Sequence, residues 1–78
     1  MDKCGYGIAI YMGDDTNSVS YVAYVKKDSM GYYYGYLSPY IEDAKEFQFV
    51  KTCKDICSDI VQLMPNYQAY YFKFQNKE

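Results

Sequence analysis

Residues 52 to 64, "TCKDICSDIVQLM", carry the one strong helical pattern in this chain, and that single pattern limits what the rest can build. Cys53, Ile56, Cys57, Ile60, Val61 and Met64 recur at three- and four-residue spacings and form one apolar stripe. Thr52 is placed to cap the helix start, with Asp55 three positions on as a shortened capping box, and Pro65 followed by Asn66 ends it. The other apolar segments mostly alternate with period two, as strands do. A helix of this length is about 20 Å long, enough to cover one face of a small sheet and not both.

The alternating segments read as follows. Residues 6 to 12, "YGIAIYM", place Tyr6, Ile8, Ile10 and Met12 on one side and Gly7, Ala9 and Tyr11 on the other. After the solvated turn "GDDTNS" (13 to 18), which lacks the twelve-residue ligand spacing of a calcium loop, a second strand runs over 19 to 26. Strict alternation there sets Val19, Tyr21, Ala23 and Val25 against Ser20, Val22, Tyr24 and Lys26. A turn at 27 to 31 leads into a third strand, 32 to 37, with Tyr32, Tyr34 and Tyr36 opposite Tyr33, Gly35 and Leu37, and the three strands form an antiparallel meander. Between 38 and 50 there are two readings: a short helix capped by Ser38 and Pro39, or a turn followed by a short strand at 45 to 49, which the alternation of Phe47 and Phe49 with Glu46 and Gln48 favours. A last strand occupies 68 to 74, with Tyr70, Phe72 and Phe74 opposite Ala69, Tyr71 and Lys73. The expected fold is a single α+β domain over residues 1 to 78. It is an antiparallel sheet of four to five strands with one helix on one face, in the order βββ(β)αβ.

That architecture leaves one sheet face without a helix, and the chain has 12 tyrosines to distribute, four of them within "MGYYYGY" at 30 to 36. One set of rings supports the helix. The other set, for which Tyr11, Tyr24, Tyr33 and Tyr71 are the candidates, is expected on the uncovered face or along an edge. Ile8 and Ile10 mark the inward side of the first strand, whereas "GYYYGY" reads equally well with either side inward. Two readings of an aromatic face compete. Tyr suits strands and tolerates water, so the rings can be plain sheet composition. Tyr also supplies large, fairly rigid, amphipathic contact area, which is why it recurs at interface hot spots.

Charge and composition narrow the function classes. The chain has ten acidic residues and eight Lys, no Arg and no His, with a net charge of -2. Without imidazole there is no Ser-His or Cys-His nucleophile, so no enzyme activity is expected. Without Arg, and with a sequence pI near 4.9, the basic footprint of nucleic-acid binders is missing. "MGYYYGYL" superficially echoes the aromatic strand of RNA-recognition modules, but Met30 stands where a basic residue belongs and Tyr33 where Gly or Ala does. Cys53 and Cys57 share the helical stripe, where small buried thiols are common. A metal site completed by Cys4 is disfavoured, and i, i+4 geometry does not suit a disulfide. Three cysteines, an N-terminus without a leader pattern and the lack of a long apolar run make a cytoplasmic protein without a membrane span the expectation; no cofactor or metal is expected.

The segments "YVAYVKK", "GYYYGYLS", "AKEFQFVKTCKDICSDIVQLM" and "YQAYYFKF" together resemble the small accessory proteins of phages and mobile elements in Gram-positive bacteria. The shared pattern is strands with a "GYY" segment, then A-x-x-F leading into a helix, then an aromatic closing strand, over most of residues 19 to 74. The resemblance implies a non-enzymatic inhibitor of host defence, of the anti-CRISPR kind, acting stoichiometrically in the bacterial host's cytoplasm by binding a host protein or protein complex or by sequestering a signalling nucleotide, the latter disfavoured by the absence of Arg. A homodimer formed through the same tyrosines is a further expectation. The alternative is a module that holds a nucleotide or oligonucleotide on stacked tyrosines, and a third possibility is a purely structural subunit.

Overall fold

The computed structural model describes residues 3–14 and 17–75. Its elements are β1 (Tyr6–Met12), β2 (Ser20–Lys27), β3 (Tyr33–Ser38), a 3-10 turn (Ile41–Asp43), α1 (Val50–Leu63) and β4 (Tyr67–Lys73). The strands form one antiparallel sheet in the order β3-β2-β1-β4 with α1 against one face, the expected α+β arrangement. β1 is therefore central, although β2 pairs with it only at Ala9–Tyr21 and Ile10–Ser20. β4 pairs along its whole length, from Tyr6–Lys73 to Met12–Tyr67.

The apolar stripe of α1 sets the core. Cys53, Ile56 and Ile60 are buried against Ile8 and Ile10 of β1, Val22 of β2 and Phe47, with Tyr33, Cys57, Met64, Tyr67 and Ala69 packed around them. Two details of the helix differ from the sequence reading. α1 begins at Val50, after Phe49, and has no side-chain cap. Thr52 therefore lies inside the first turn, and Asp55 pairs with Lys51 at 3.4 Å instead of closing a capping box. The start is fixed from outside the helix: Phe47 and Tyr6 exchange two backbone hydrogen bonds of 2.8 Å, which anchor the chain three residues ahead of Val50.

Those bonds also replace the short strand expected at 45 to 49. Only Phe47 makes a bridge. Where β1 and β2 diverge beyond their two paired positions, residues 44 to 47 enter the gap. The Lys45 N–H donates to the Val22 carbonyl at 2.9 Å, and Ala44 and Phe47 are buried. The segment thus satisfies backbone groups that the parting strands leave open. Gly5 sits against this wedge at φ +80, and a Cβ there would collide with the Phe47 carbonyl oxygen. The short helix considered for this region survives as the 3-10 turn, and Ser38 acts beside it, accepting from the Tyr40 N–H and donating to Asp43 at 2.6 Å.

In β2 strict alternation fails. The register with β3 shifts between Val22 and Tyr24, so Ala23 is left over and the facing of every later residue is reversed. Val22 and Val25 consequently both face α1, while Tyr21 and Tyr24 both face away from it. Without the bulge, Val25 would leave the core side and Tyr24 would enter it.

Gly5→Ala and Gly31→Ala separate conformation from crowding. Gly31, at φ +89, has open space where a Cβ would stand, so its substitution carries only the left-handed penalty of about 1–2 kcal/mol. Gly5→Ala adds the collision with Phe47 and should lower the melting temperature at least twice as far as Gly31→Ala, which itself should cost about 5–10 °C in a calorimetric scan of a domain this small.

Candidate interaction surface

The sheet face opposite α1 is aromatic from edge to edge. β3 contributes Tyr34 and Tyr36, β2 contributes Tyr21 and Tyr24, β1 contributes Tyr11, and β4 contributes Tyr70 and Phe72, with Phe74 just beyond its end. α1, the one α-helix among the described residues, lies on the other side.

The rings are arranged by the small residues between them. On this face the middle of β1 presents Gly7 and Ala9, opposite Phe72 and Tyr70 of β4. Their lack of bulk lets Tyr21 reach across β1 to meet Phe72 edge-to-face at 6.0 Å, and Phe72 meets Phe74 at 5.0 Å. Gly7 lies beneath that pair: a Cβ there would stand 2.7 Å from Phe72 and 2.8 Å from Phe74. At the β2–β3 end, Tyr24 meets Tyr36 at 5.7 Å, Tyr36 meets Tyr34 at 6.2 Å, and the Lys26 ammonium lies 5.5 Å from the Tyr24 ring. At the opposite end Tyr11 and Tyr70 stack at 5.5 Å with an interplanar angle of 18°. The Tyr70 hydroxyl donates to Gln68 Oε1, and Gln68 in turn donates to the Gly13 carbonyl at 2.6 Å. Hydrogen bonding with Tyr70 is the main influence raising the Tyr11 phenol pKa, with desolvation and the Tyr70 and Asp14 charges adding.

Mutual contact shields part of this surface, yet Tyr24 and Tyr36 remain 53% exposed and Tyr70 49%. These three rings offer the most accessible aromatic area on the face. Of the four tyrosines singled out in the sequence, Tyr11 and Tyr24 lie here. Tyr33 and Tyr71 do not belong to the uncovered face. Tyr33 stands opposite Lys27 on the helix side, packs against the core and has the Lys27 ammonium 4.8 Å from its ring. Tyr71 stands opposite Ile8, also on the helix side, in edge contact with Tyr6 at 6.2 Å. Both are on edge strands, and Tyr71 keeps 41% of its surface exposed.

Sequence reasoning left Tyr36 and Tyr70 out of the candidate set. Tyr70 follows from the register of β4 on β1, in which Gly7 and Ala9 stand opposite Phe72 and Tyr70 on the side away from Ile8 and Ile10. Tyr36 follows only once the bulge in β2 is known.

The cysteines take no part in this surface. Cys53 is buried, Cys57 half-buried and Cys4 exposed. No cluster of three metal-ligating side chains occurs among the described residues. Burial pushes the Cys53 thiol pKa up, and pushes Cys57 to about 11, with the neighbouring Cys53 adding. No helix of the described residues is long and apolar enough to cross a membrane.

No protein-family model, no curated protein and no solved structure matches the chain.

Two outcomes follow from this geometry. Gly7→Val should force Phe72 and Phe74 off their present positions and destabilise the fold by about 1–3 kcal/mol, the usual cost of overpacking, read as a lowered denaturation midpoint. In thiol labelling at pH 8, Cys4 should react well ahead of Cys53 and Cys57, because burial holds the latter two as neutral thiols. Since burial favours the protonated Cys57, its contribution to stability is intact below pH 9 and is lost as pH rises toward 11. Labelling of Cys57 should accelerate over that interval.

Proposed function

We propose that this chain is a small non-enzymatic binding protein that inhibits a host protein complex by stoichiometric contact through its tyrosine-rich sheet face, most specifically a phage anti-defence protein of the anti-CRISPR kind. The observation that carries the reading is the uncovered aromatic face, where Tyr24, Tyr36 and Tyr70 stay about half exposed while locked into ring contacts with their neighbours. Rings held in this way lose little freedom on binding, so contact area converts into affinity with a small ordering cost. Each phenol adds a hydroxyl that can donate or accept at the rim of such a contact. The net charge of -2 and the absence of Arg favour a protein partner over a polyanion. The anti-defence part of the proposal rests on the resemblance drawn from the strand, helix and strand segments of the sequence, and on nothing in the fold.

A second reading has one observation in its favour. Lys26 beside the Tyr24 ring, next to Tyr36 and Tyr34, is a cation set among aromatic faces, which is what a stacked nucleotide or short oligonucleotide requires. One cation among these rings makes a weak electrostatic anchor, so this reading ranks second.

Bacteria carrying an active defence system and expressing the chain should regain sensitivity to a targeted phage. Tyr24→Ser with Tyr36→Ser should abolish that effect while leaving cooperative melting in place, and inhibition titrated with purified chain should end at a fixed molar ratio. Unchanged inhibition by the double variant would remove the face from the mechanism. A melting-temperature rise with nucleotide, or binding that weakens steeply with salt, would favour the second reading instead.

A further inference from the structure

The two outer strands of the sheet are treated differently. In β3, the Asp28 N–H bond to the Tyr32 carbonyl (2.9 Å) and the register Lys26–Tyr34 and Tyr24–Tyr36 turn the even-numbered residues toward β2, so Tyr33 directs its N–H outward. That N–H is taken by Asp59 of α1 at 3.0 Å. A helix carboxylate therefore stands on the β3 edge, and an incoming strand would have to displace it.

The β4 edge has no such guard. Phe74 donates to the Gly5 carbonyl and Gly13 donates to the Asn66 carbonyl, both at 2.9 Å, which turns the even-numbered residues of β4 toward β1. The N–H and C=O groups of Ala69, Tyr71 and Lys73 point outward, and among the described residues no hydrogen bond reaches those N–H groups; only Tyr67 turns its N–H back, to Met64. Large rings flank this open row on both faces, Tyr70 on one and Tyr71 on the other.

We propose that β4 pairs antiparallel with β4 of a second copy of this chain, about a two-fold axis at Tyr70. Several properties of the strand select a second copy over an unrelated peptide. Tyr70 is the midpoint of Tyr67–Lys73, so the paired segments end together. The register places Ala69 opposite Tyr71 of the other copy as a hydrogen-bonded pair, matching the outward groups and setting a small residue beside a large exposed ring. It also places Tyr67 opposite Lys73, repeating the directly opposed Lys27–Tyr33 pair that the chain already uses between β2 and β3. No like charges face each other. Tyr70 meets its own copy on the aromatic side, where close non-hydrogen-bonded pairs favour ring contact. The assembly is one continuous sheet with both helices on one side and both aromatic faces joined on the other. It does not depend on the inhibitor reading.

Sedimentation equilibrium of the full chain at micromolar concentration tests the pairing. The wild type should run at twice 9.2 kDa. Tyr70→Lys and Tyr70→Glu should each raise the dimer dissociation constant at least tenfold, because each puts like charges together at the axis, and an equimolar mixture of the two should restore the dimer. Tyr36→Lys, on the same face but at the far side of the sheet, should stay dimeric. As a second variant, Tyr70→Cys in a Cys4→Ser background should form a covalent dimer on mild oxidation, since two-fold-related Cα atoms in such a pair lie about 4.5 Å apart, within disulfide reach. A wild type that runs as a monomer throughout, Tyr70 charge variants that remain dimeric, or a Tyr70→Cys chain that does not cross-link would each overturn the proposal.

Discussion

Contact between Ile56 and Ile60 of the helix and Ile8, Ile10 and Val22 of the sheet is the constraint from which the other surfaces follow. It buries Ile8 and Ile10 on one side of β1 and uses α1, the one α-helix among the described residues, to do so. The chain then has to keep a second sheet face in water without a covering layer. It does this with rings that cover one another, made possible by Gly7 and Ala9, whose small size opens a path across the central strand. Tyr21 and Phe72 meet over that path although their strands are not neighbours. Each phenol carries a polar hydroxyl at its tip, so such a surface tolerates water better than an aliphatic one of equal area.

Much of this was readable from the residues, and the failures have identifiable causes. β1 matched to the residue, and the other strands lay one residue from their expected positions, because period-two alternation bounded by turn residues is a strong signal. The helix was correct in its stripe and wrong in its start. Thr52 and Asp55 have suitable chemistry for a cap, but the bridge between Tyr6 and Phe47 sets the entry point, and a contact over that sequence distance leaves no local trace. The strand expected at 45 to 49 failed for the same reason: the segment fills a gap whose existence depends on how β1 and β2 part.

The facing of the tyrosines was legible only in part. All four tyrosines are expected on the open face or along an edge; Tyr11 and Tyr24 lie on the face and Tyr33 and Tyr71 on edge strands, but strict alternation sets Tyr24 beside Val22, and only the bulge at Ala23 separates the two. A bulge inserts one residue without changing composition or hydrophobic count, so alternation alone cannot locate it. Tyr33 and Tyr71 went the other way because "YYY" and "YY" runs place equally large, equally amphipathic rings on both faces. Their neighbours decide: Tyr33 faces the core because Gly35, two residues on, makes room for Ile60.

The order of pairing has a consequence for how the chain reaches this state during synthesis. β1 shares only two register positions with β2, while its long ladder runs to β4, joining residues as far apart as Tyr6 and Lys73. A nascent chain therefore exposes its first strand, with Ile8 and Ile10 uncovered, until nearly every later residue in the ladder has left the ribosome. Hairpin closure of β2 on β3 is local and helps little, because the buried centre needs β1 and the helix and strand that follow β3 at once. Folding should accordingly be cooperative and late, governed by a distant encounter more than by any local nucleus.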